Sequence, residues 1–340
     1  MRAFVSTYEC LSCVGDTAEL RYAIEEQKTG ITIDTSYIKN TPVGLGIMKY
    51  ENFFDVIESV ASKILLQSNL DDFSDTLLIV GSSVGGMKES EQHYFKDKNY
   101  KNIDPKRHSV NVIAQHLQMK FGFLGSRSIS TACTSSANAL LLASRLMKVQ
   151  AYKNILVFGA DSLCYTTVCG FHALGVLSSK VCTPFKEARE GMNVAEAVAG
   201  LLIQDTQTKN SIELLGVGAS SDAYHMTNPD PEANGAISSM LHALTDAGLE
   251  SQSIDYINAH GTGTEANDRV ESLAIKNIFS EVSFNSTKSI TGHTLGAAGA
   301  IEAIIACESI KRTKKINYVL SNSFAFGGNN TSLIFGVCKS

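Results

Sequence analysis

Ser128-Ile-Ser-Thr-Ala-Cys133-Thr-Ser-Ser-Ala-Asn-Ala-Leu-Leu-Leu-Ala-Ser-Arg-Leu-Met-Lys-Val149 sets a small-residue turn around one cysteine, directly ahead of an Ala- and Leu-rich run. Thr134, Ser135 and Ser136 are helix-opening residues, and neither Gly nor Pro interrupts the run to Met147, so a helix is predicted to begin just past Cys133. The stretch Thr291–Ala306 echoes it, again running from a small-residue turn into an apolar helix. Working outward, short apolar strand-type runs alternate with helical ones. Thr76–Val80, Ser126–Ser130, Asn154–Gly159 and Val194–Gln204 precede the polar turn Asp205–Asn210. Ile212–Gly218, Ile254–Ala259, Phe284–Asn285, Val319–Ser321 and Ser332–Phe335 follow it. Such alternation argues for a layered α/β architecture, and the echo argues for two similar halves, 1–205 and 206–340. Residues 28–48 read as loop, 89–106 as a polar and aromatic surface excursion, and 162–180 as irregular.

The 340 residues are 44% hydrophobic and 19% charged, ordinary for a folded chain with a large core. A net charge of −5 gives no sign of nucleic-acid binding. No apolar run reaches the roughly 18 residues of a membrane span, and the first residues lack a signal-peptide core. Eight scattered cysteines are read as reduced thiols of a cytoplasmic protein. Cys10-Leu-Ser-Cys13 has no second ligand pair and reads as packing. Gly81-Ser-Ser-Val-Gly-Gly86 lacks the spacing of a phosphate loop and reads as a strand-end turn.

Three loops carry residue types suited to chemistry. In Asn258-Ala-His260-Gly-Thr262-Gly-Thr264 a histidine closes an apolar strand. In Lys288-Ser-Ile-Thr-Gly-His293-Thr-Leu-Gly-Ala-Ala-Gly299 a second histidine opens a helix small enough to pack deeply. Asn322-Ser-Phe-Ala-Phe326-Gly-Gly-Asn-Asn330 is a hinge-like loop with two aromatics. Cys133 at a helix start would meet unpaired N–H groups and the positive end of the helix dipole, both of which favour a thiolate. As isolated residues, Cys133 equally fits a buried filler and each histidine a structural one. A metal or a Cys/His catalytic pair cannot be judged from spacing, because the partners meet only in the fold.

Taken together these motifs resemble the β-ketoacyl-acyl-carrier-protein synthases of the elongating type, condensing enzymes of the thiolase superfamily. The resemblance rests on Thr131-Ala-Cys-Thr-Ser135, the two histidine loops, the Phe326 loop, and Ser220-Ser-Asp-Ala-Tyr-His225-Met-Thr227, and it runs over nearly the whole chain. It implies a thiolase-like α/β/α/β/α fold and a decarboxylative condensation. Cys133 would accept the acyl chain, and malonyl carrier protein would then lose CO2 and attack the Cys133 thioester. By the same resemblance, His260 and His293 form an oxyanion hole for the malonyl thioester oxygen, with Lys288 beside them. The backbone N–H groups of Cys133 and Phe326 form a second hole, and Phe326 is the gate. Thr262 and Thr264 hold the pantetheine arm, and His225 and Thr227 lie near the malonyl site. Glu271 partners Lys288, and Val110 lines the acyl pocket. The implied partners are an acyl carrier protein and a second subunit, identical or related, with no cofactor and no metal.

Some positions depart from the family. Ala325 stands where a glycine is usual and is expected to stiffen the gate. The helix within Glu51–Leu66 is acidic and apolar where relatives are basic toward the carrier, whereas Lys180 keeps a basic docking position. These changes point to a specialised pathway, of polyketide or aryl-polyene type. The alternative of a non-elongating subunit of a ketosynthase/chain-length-factor heterodimer is opposed by the presence of Cys133 and both histidines.

Overall fold

The computed structural model describes residues 2–338; Met1, Lys339 and Ser340, at the outer ends of the two expected halves, lie outside them. Ten principal strands form in chain order: β1 (Phe4–Ser12), β2 (Thr76–Gly81), β3 (Gly125–Ile129), β4 (Asn154–Asp161), β5 (Ala197–Gln204), β6 (Ile212–Ser221), β7 (Tyr256–Asn258), β8 (Ser283–Asn285), β9 (Tyr318–Phe324) and β10 (Asn329–Val337). The first five lie in the order β3-β2-β4-β5-β1, and the second five in the order β8-β7-β9-β10-β6. The two orders are the same permutation. In both sets the first three strands of that order run parallel and the last two pair antiparallel. A short β1–β6 pairing joins the two sets.

Among the described residues the longer helices are α1 (Thr17–Glu25), α2 (Phe53–Gln67), α3 (Met87–Asp97), α4 (Val112–Phe121), α5 (Ser135–Lys148), α6 (Tyr165–Ala173), α7 (Asn234–Ala247), α8 (Glu265–Ile278) and α9 (Ala298–Arg312). The central layer is α5 with α9, the two helices that follow the echoed turns. Each touches strands of both sets. Their composition explains the position. Ala298–Cys307 is buried without a break, and α5 buries Ala137, Ala139, Leu140, Ala143 and Met147. Small side chains let the two backbones approach closely: a Cβ on Gly299 would sit 2.5 Å from the Ala137 nitrogen. On the outer faces, α2 and α4 pack on the first set of strands, and α7, backed by α8, on the second. Five layers result, with separate apolar clusters in the middle and on each outer side.

Three segments differ from expectation. Residues 28–48 contain strands 32–34 and 43–46, which join 194–195 in a small second sheet. The surface excursion contains α3, whose sequence Met-Lys-Glu-Ser-Glu-Gln buries only Ser90 and so leaves no apolar period. The segment 162–180 contains α6, which buries only Val168 and carries Thr-Thr-Val-Cys-Gly, residues of low helix propensity. The Cys10/Cys13 pair stays two free thiols, with Cys13 Sγ 3.3 Å from the Thr291 carbonyl.

Candidate active site

Cys133 sits on a strained turn between β3 and α5. Ala132 has φ +51, a left-handed value that costs an L-residue about 1–2 kcal/mol. Surrounding bonds hold it there. The Ala132 carbonyl accepts from Ser83 Oγ (2.9 Å) and Ser135 Oγ (2.6 Å), and the Thr131 carbonyl accepts from Thr134 Oγ1 (2.7 Å). The first helical residue is Ser135, so Cys133 lies one residue ahead of the Thr134 cap. Burial works against the expected thiolate. Burial pushes the Cys133 thiol up to about 12, with Lys288 pulling the other way and Asp161 adding to the rise. At 7% exposure, the loss of hydration outweighs the helix start. The thiol is within hydrogen-bond reach of a base, since its Sγ lies 3.0 Å from His293 Nε2.

The two histidines arrive from the second half. β7 delivers His260, and Glu271 of α8 fixes its backbone by accepting from the His260 and Gly261 N–H groups, each at 2.8 Å. His293 is clamped to the segment 193–195. Its N–H donates to the Asn193 carbonyl (2.7 Å), and its carbonyl accepts from Ala195 N–H (2.9 Å). The two rings stand 5.2 Å apart and perpendicular. Burial first and Lys288 second hold both imidazoles well below their ordinary pKa, so both are neutral.

Lys288 decides which nitrogen of His260 carries the proton. Its ammonium spends its three donors on His260 Nδ1 (3.3 Å), the His260 carbonyl (2.6 Å) and Glu302. An ammonium has no acceptor, so His260 Nδ1 must accept and Nε2 must carry the hydrogen. His293 is not fixed in this way. Its Nδ1 is buried with no hydrogen-bond partner among the described residues, and its proton can occupy either nitrogen.

These lowered pKa values set a sign for stability. Unfolded histidines take protons below about pH 6.5, whereas the buried pair does not. The contribution is complete above that pH and is lost as pH falls toward the lowered values. The denaturation midpoint is expected to fall between pH 7.5 and 5.5, and to fall less in a His260→Asn/His293→Asn variant. An equal fall in both proteins would contradict the assignment.

A cavity of about 100 Å³ joins these groups. Cys133, His260, His293, Thr227, Thr262, Thr264 and Phe326 all line it. The Thr262 and Thr264 hydroxyls lie 2.8 Å apart, and the Phe326 ring packs on Phe171 at 5.9 Å. One expectation needs correction. Glu271 does not pair with Lys288; Glu302 on α9 does, and Glu271 grips the His260–Gly261 backbone instead. His225 does not itself line the cavity, but its Nδ1 accepts from the N–H of Thr227, which does (3.1 Å). The Val110 backbone lies against Gly85. Ala325 does not occupy the left-handed region; Gly327 and Gly328 do, at φ +84 and +80, so the loop's freedom lies two residues further on.

Further supports were not singled out from the sequence. Asp161 accepts from Ser82 Oγ (2.6 Å) and from the N–H groups of Val84 (2.9 Å) and Gly296 (2.6 Å), tying the two halves together beside Cys133. Asp268 accepts from Phe185 N–H (2.7 Å) and Gly263 N–H (3.2 Å) under the threonine loop. Glu302 carried a signal, being an acid inside an otherwise apolar helix. No group of three or more His, Cys, Asp or Glu side chains able to hold a metal occurs among the described residues.

Residues 57–209 match the family model described as beta-ketoacyl synthase, N-terminal domain, and residues 212–318 match its C-terminal domain. The chain belongs to the β-ketoacyl synthase family. It is 33% identical over 305 residues to 3-oxoacyl-[acyl-carrier-protein] synthase 2 of Coxiella burnetii (strain RSA 493 / Nine Mile phase I), covering 75% of this chain and 73% of that protein. The Staphylococcus aureus synthase of the same name is 31% identical over 304 residues, 75% of each chain. Among solved structures, a chain from the complex of ketosynthase ApeO with its chain length factor ApeC from Xenorhabdus doucetiae superposes with TM-score 0.88. That chain is 30% identical, and the match covers 99% of this chain and 98% of that one. A β-ketoacyl synthase from Burkholderia phymatum STM815 shares the fold at TM-score 0.88 and 24% identity, covering 99% of this chain and 100% of that one. The fold of this β-ketoacyl synthase is accordingly the thiolase-like one, made of two similar halves.

Proposed function

We propose that this chain joins an acyl group held on Cys133 to malonyl-acyl carrier protein with loss of CO2, giving a 3-ketoacyl carrier protein. The observation that carries the reading is the meeting of one thiol and two neutral imidazoles in one buried cavity, with Lys288 turning the His260 Nε2–H outward. In acyl transfer, His293 Nε2 takes the Cys133 proton as Sγ bonds to the incoming thioester carbonyl, and returns it to the departing pantetheine thiolate. The tetrahedral oxyanion is held by the main-chain N–H groups of Cys133 and Phe326. Malonyl carrier then enters past Thr262 and Thr264. As the carboxyl carbon leaves as CO2, negative charge builds on the thioester oxygen, where His260 Nε2–H and the Nε2–H tautomer of His293 stabilise it. The resulting carbanion bonds to the Cys133 carbonyl carbon. Collapse expels the Cys133 thiolate, which takes up one proton from solvent, the proton that the overall condensation consumes.

Carrier-bound substrates bring their own phosphopantetheine, so the chemistry calls for no resident cofactor. The reading places the protein in the cytoplasm, in elongation of fatty acid or of polyketide and aryl-polyene type. A second copy or a related subunit serves as partner, as ApeC does for ApeO. The rival of a non-elongating subunit has the ApeO–ApeC likeness in its favour, but a subunit without chemistry has no use for an assembled thiol and two oriented imidazoles. Purified protein given acyl carrier and malonyl carrier is expected to release CO2 and 3-ketoacyl carrier in equal amounts. Neither product, alone or with a related subunit, would overturn the proposal.

A further inference from the structure

One further buried carboxylate, Glu196, has no part in the chemistry described so far. Glu196 precedes β5, and its side chain is 1% exposed. It collects four donors from three separate segments: Met48 N–H (2.9 Å), Leu163 N–H (2.9 Å), the Tyr50 hydroxyl (2.7 Å) and the Lys88 ammonium (3.2 Å). Lys88 also donates to the Tyr50 oxygen and lies 4.6 Å from the centre of that ring, so the three side chains form one closed unit. Its own N–H donates to the Gly46 carbonyl at 3.0 Å.

The position of Glu196 in the chain gives this unit its consequence. The preceding residues Asn193 and Ala195 hold both backbone polar groups of His293. On the other side, strand 194–195 pairs with strand 43–46. The His293 backbone is therefore hung on a short strip, and Glu196 pins the end of that strip to the loops at 48–50 and 163 and to α3. The Cys133 turn is held by different partners, namely Ser83, Thr131, Ser135 and Asn138. The Cys133 turn and the His293 strip thus have separate supports.

We propose that Glu196, completed by Tyr50 and Lys88, is a positioning unit for His293, setting its imidazole for the malonyl oxygen without touching substrate. The proposal rests on the reading of His293 as a donor to that oxygen. Small misplacement of a catalytic group by a distant change costs up to about a hundredfold. Removing Lys88 leaves a buried carboxylate without its cation, which favours its displacement from the site. That displacement loosens the strip.

The test separates two partial reactions in Lys88→Met, Tyr50→Phe and Lys88→Arg variants. One is CO2 release from malonyl carrier; the other is acylation of Cys133 by acyl carrier, followed by intact mass. Lys88→Met is expected to slow CO2 release about tenfold to a hundredfold, and to slow Cys133 acylation with it, because His293 Nε2 also takes the thiol proton. Tyr50→Phe should fall between the two, and Lys88→Arg should restore most of the rate, since it keeps the charge. If neither partial reaction falls in Lys88→Met, or if Lys88→Arg restores neither, the positioning role is wrong. Should Lys88→Met fail to fold, Tyr50→Phe decides by the same criterion. A wild-type protein that performs neither partial reaction would refute the functional reading itself, which is a distinct outcome.

Discussion

Replacing His260 with alanine is expected to slow CO2 release from malonyl carrier by about 10²–10³-fold, while acyl transfer to Cys133 proceeds at close to the wild-type rate. The asymmetry follows from the geometry. The Cys133 Sγ has His293 Nε2 at 3.0 Å as its hydrogen-bond partner, whereas His260 bonds through Nδ1 to Lys288 and presents Nε2–H to the cavity. Removing an oriented donor costs most in the step where negative charge develops opposite it, which is decarboxylation. His260→Asn keeps a side-chain N–H but loses the Lys288 contact that orients it, so only a small part of the rate should return. Timing of CO2 release against Cys133 acylation checks the split, and equal losses in the two steps would mean that His260 serves the thiol instead.

Glu302→Ala is expected to destabilise the fold by about 3–5 kcal/mol, the usual cost of leaving one member of a buried ion pair alone. Lys288 and Glu302 are 1% and 3% exposed, so water cannot replace the lost carboxylate. Without Glu302 the Lys288 ammonium loses the partner that holds it in place against His260 Nδ1, and the His260 tautomer is no longer fixed. The double variant Lys288→Met/Glu302→Leu removes the charge with its partner and is expected to regain most of the stability. It should not regain CO2 release, because nothing then sets the His260 tautomer. Denaturant melts with the CO2 assay on both variants check this. Recovery of CO2 release in the double variant would show that Lys288 does not orient His260.

The parts of the fold that could be read from the chain were those whose burial leaves a regular pattern. The strands around Thr76–Gly81 and Asn154–Asp161 are apolar because they are covered on both faces, and α5 and α9 are rich in Ala because they cross in the middle layer. Helices α3 and α6 bury one residue each, so they imprint no period on the sequence. Cys133, His260, His293 and Lys288 stood out through the loops that carry them. Their second supports did not. Glu302 and Glu271 are both acids on helices, and only the fold shows that the first faces Lys288 and the second faces the backbone at 260–261. At Cys133 the helix start that favours a thiolate is visible in sequence, and the burial that opposes it is not.

The central claim is that Cys133 carries the acyl group. Intact-mass measurement of the protein after incubation with acyl carrier tests it most directly. A mass increase equal to one acyl group, mapped to the peptide containing Cys133, absent in Cys133→Ala and discharged on addition of malonyl carrier, is the predicted result. An acyl adduct that persists in Cys133→Ala, or wild-type protein that forms condensed product with no adduct at Cys133, would contradict it.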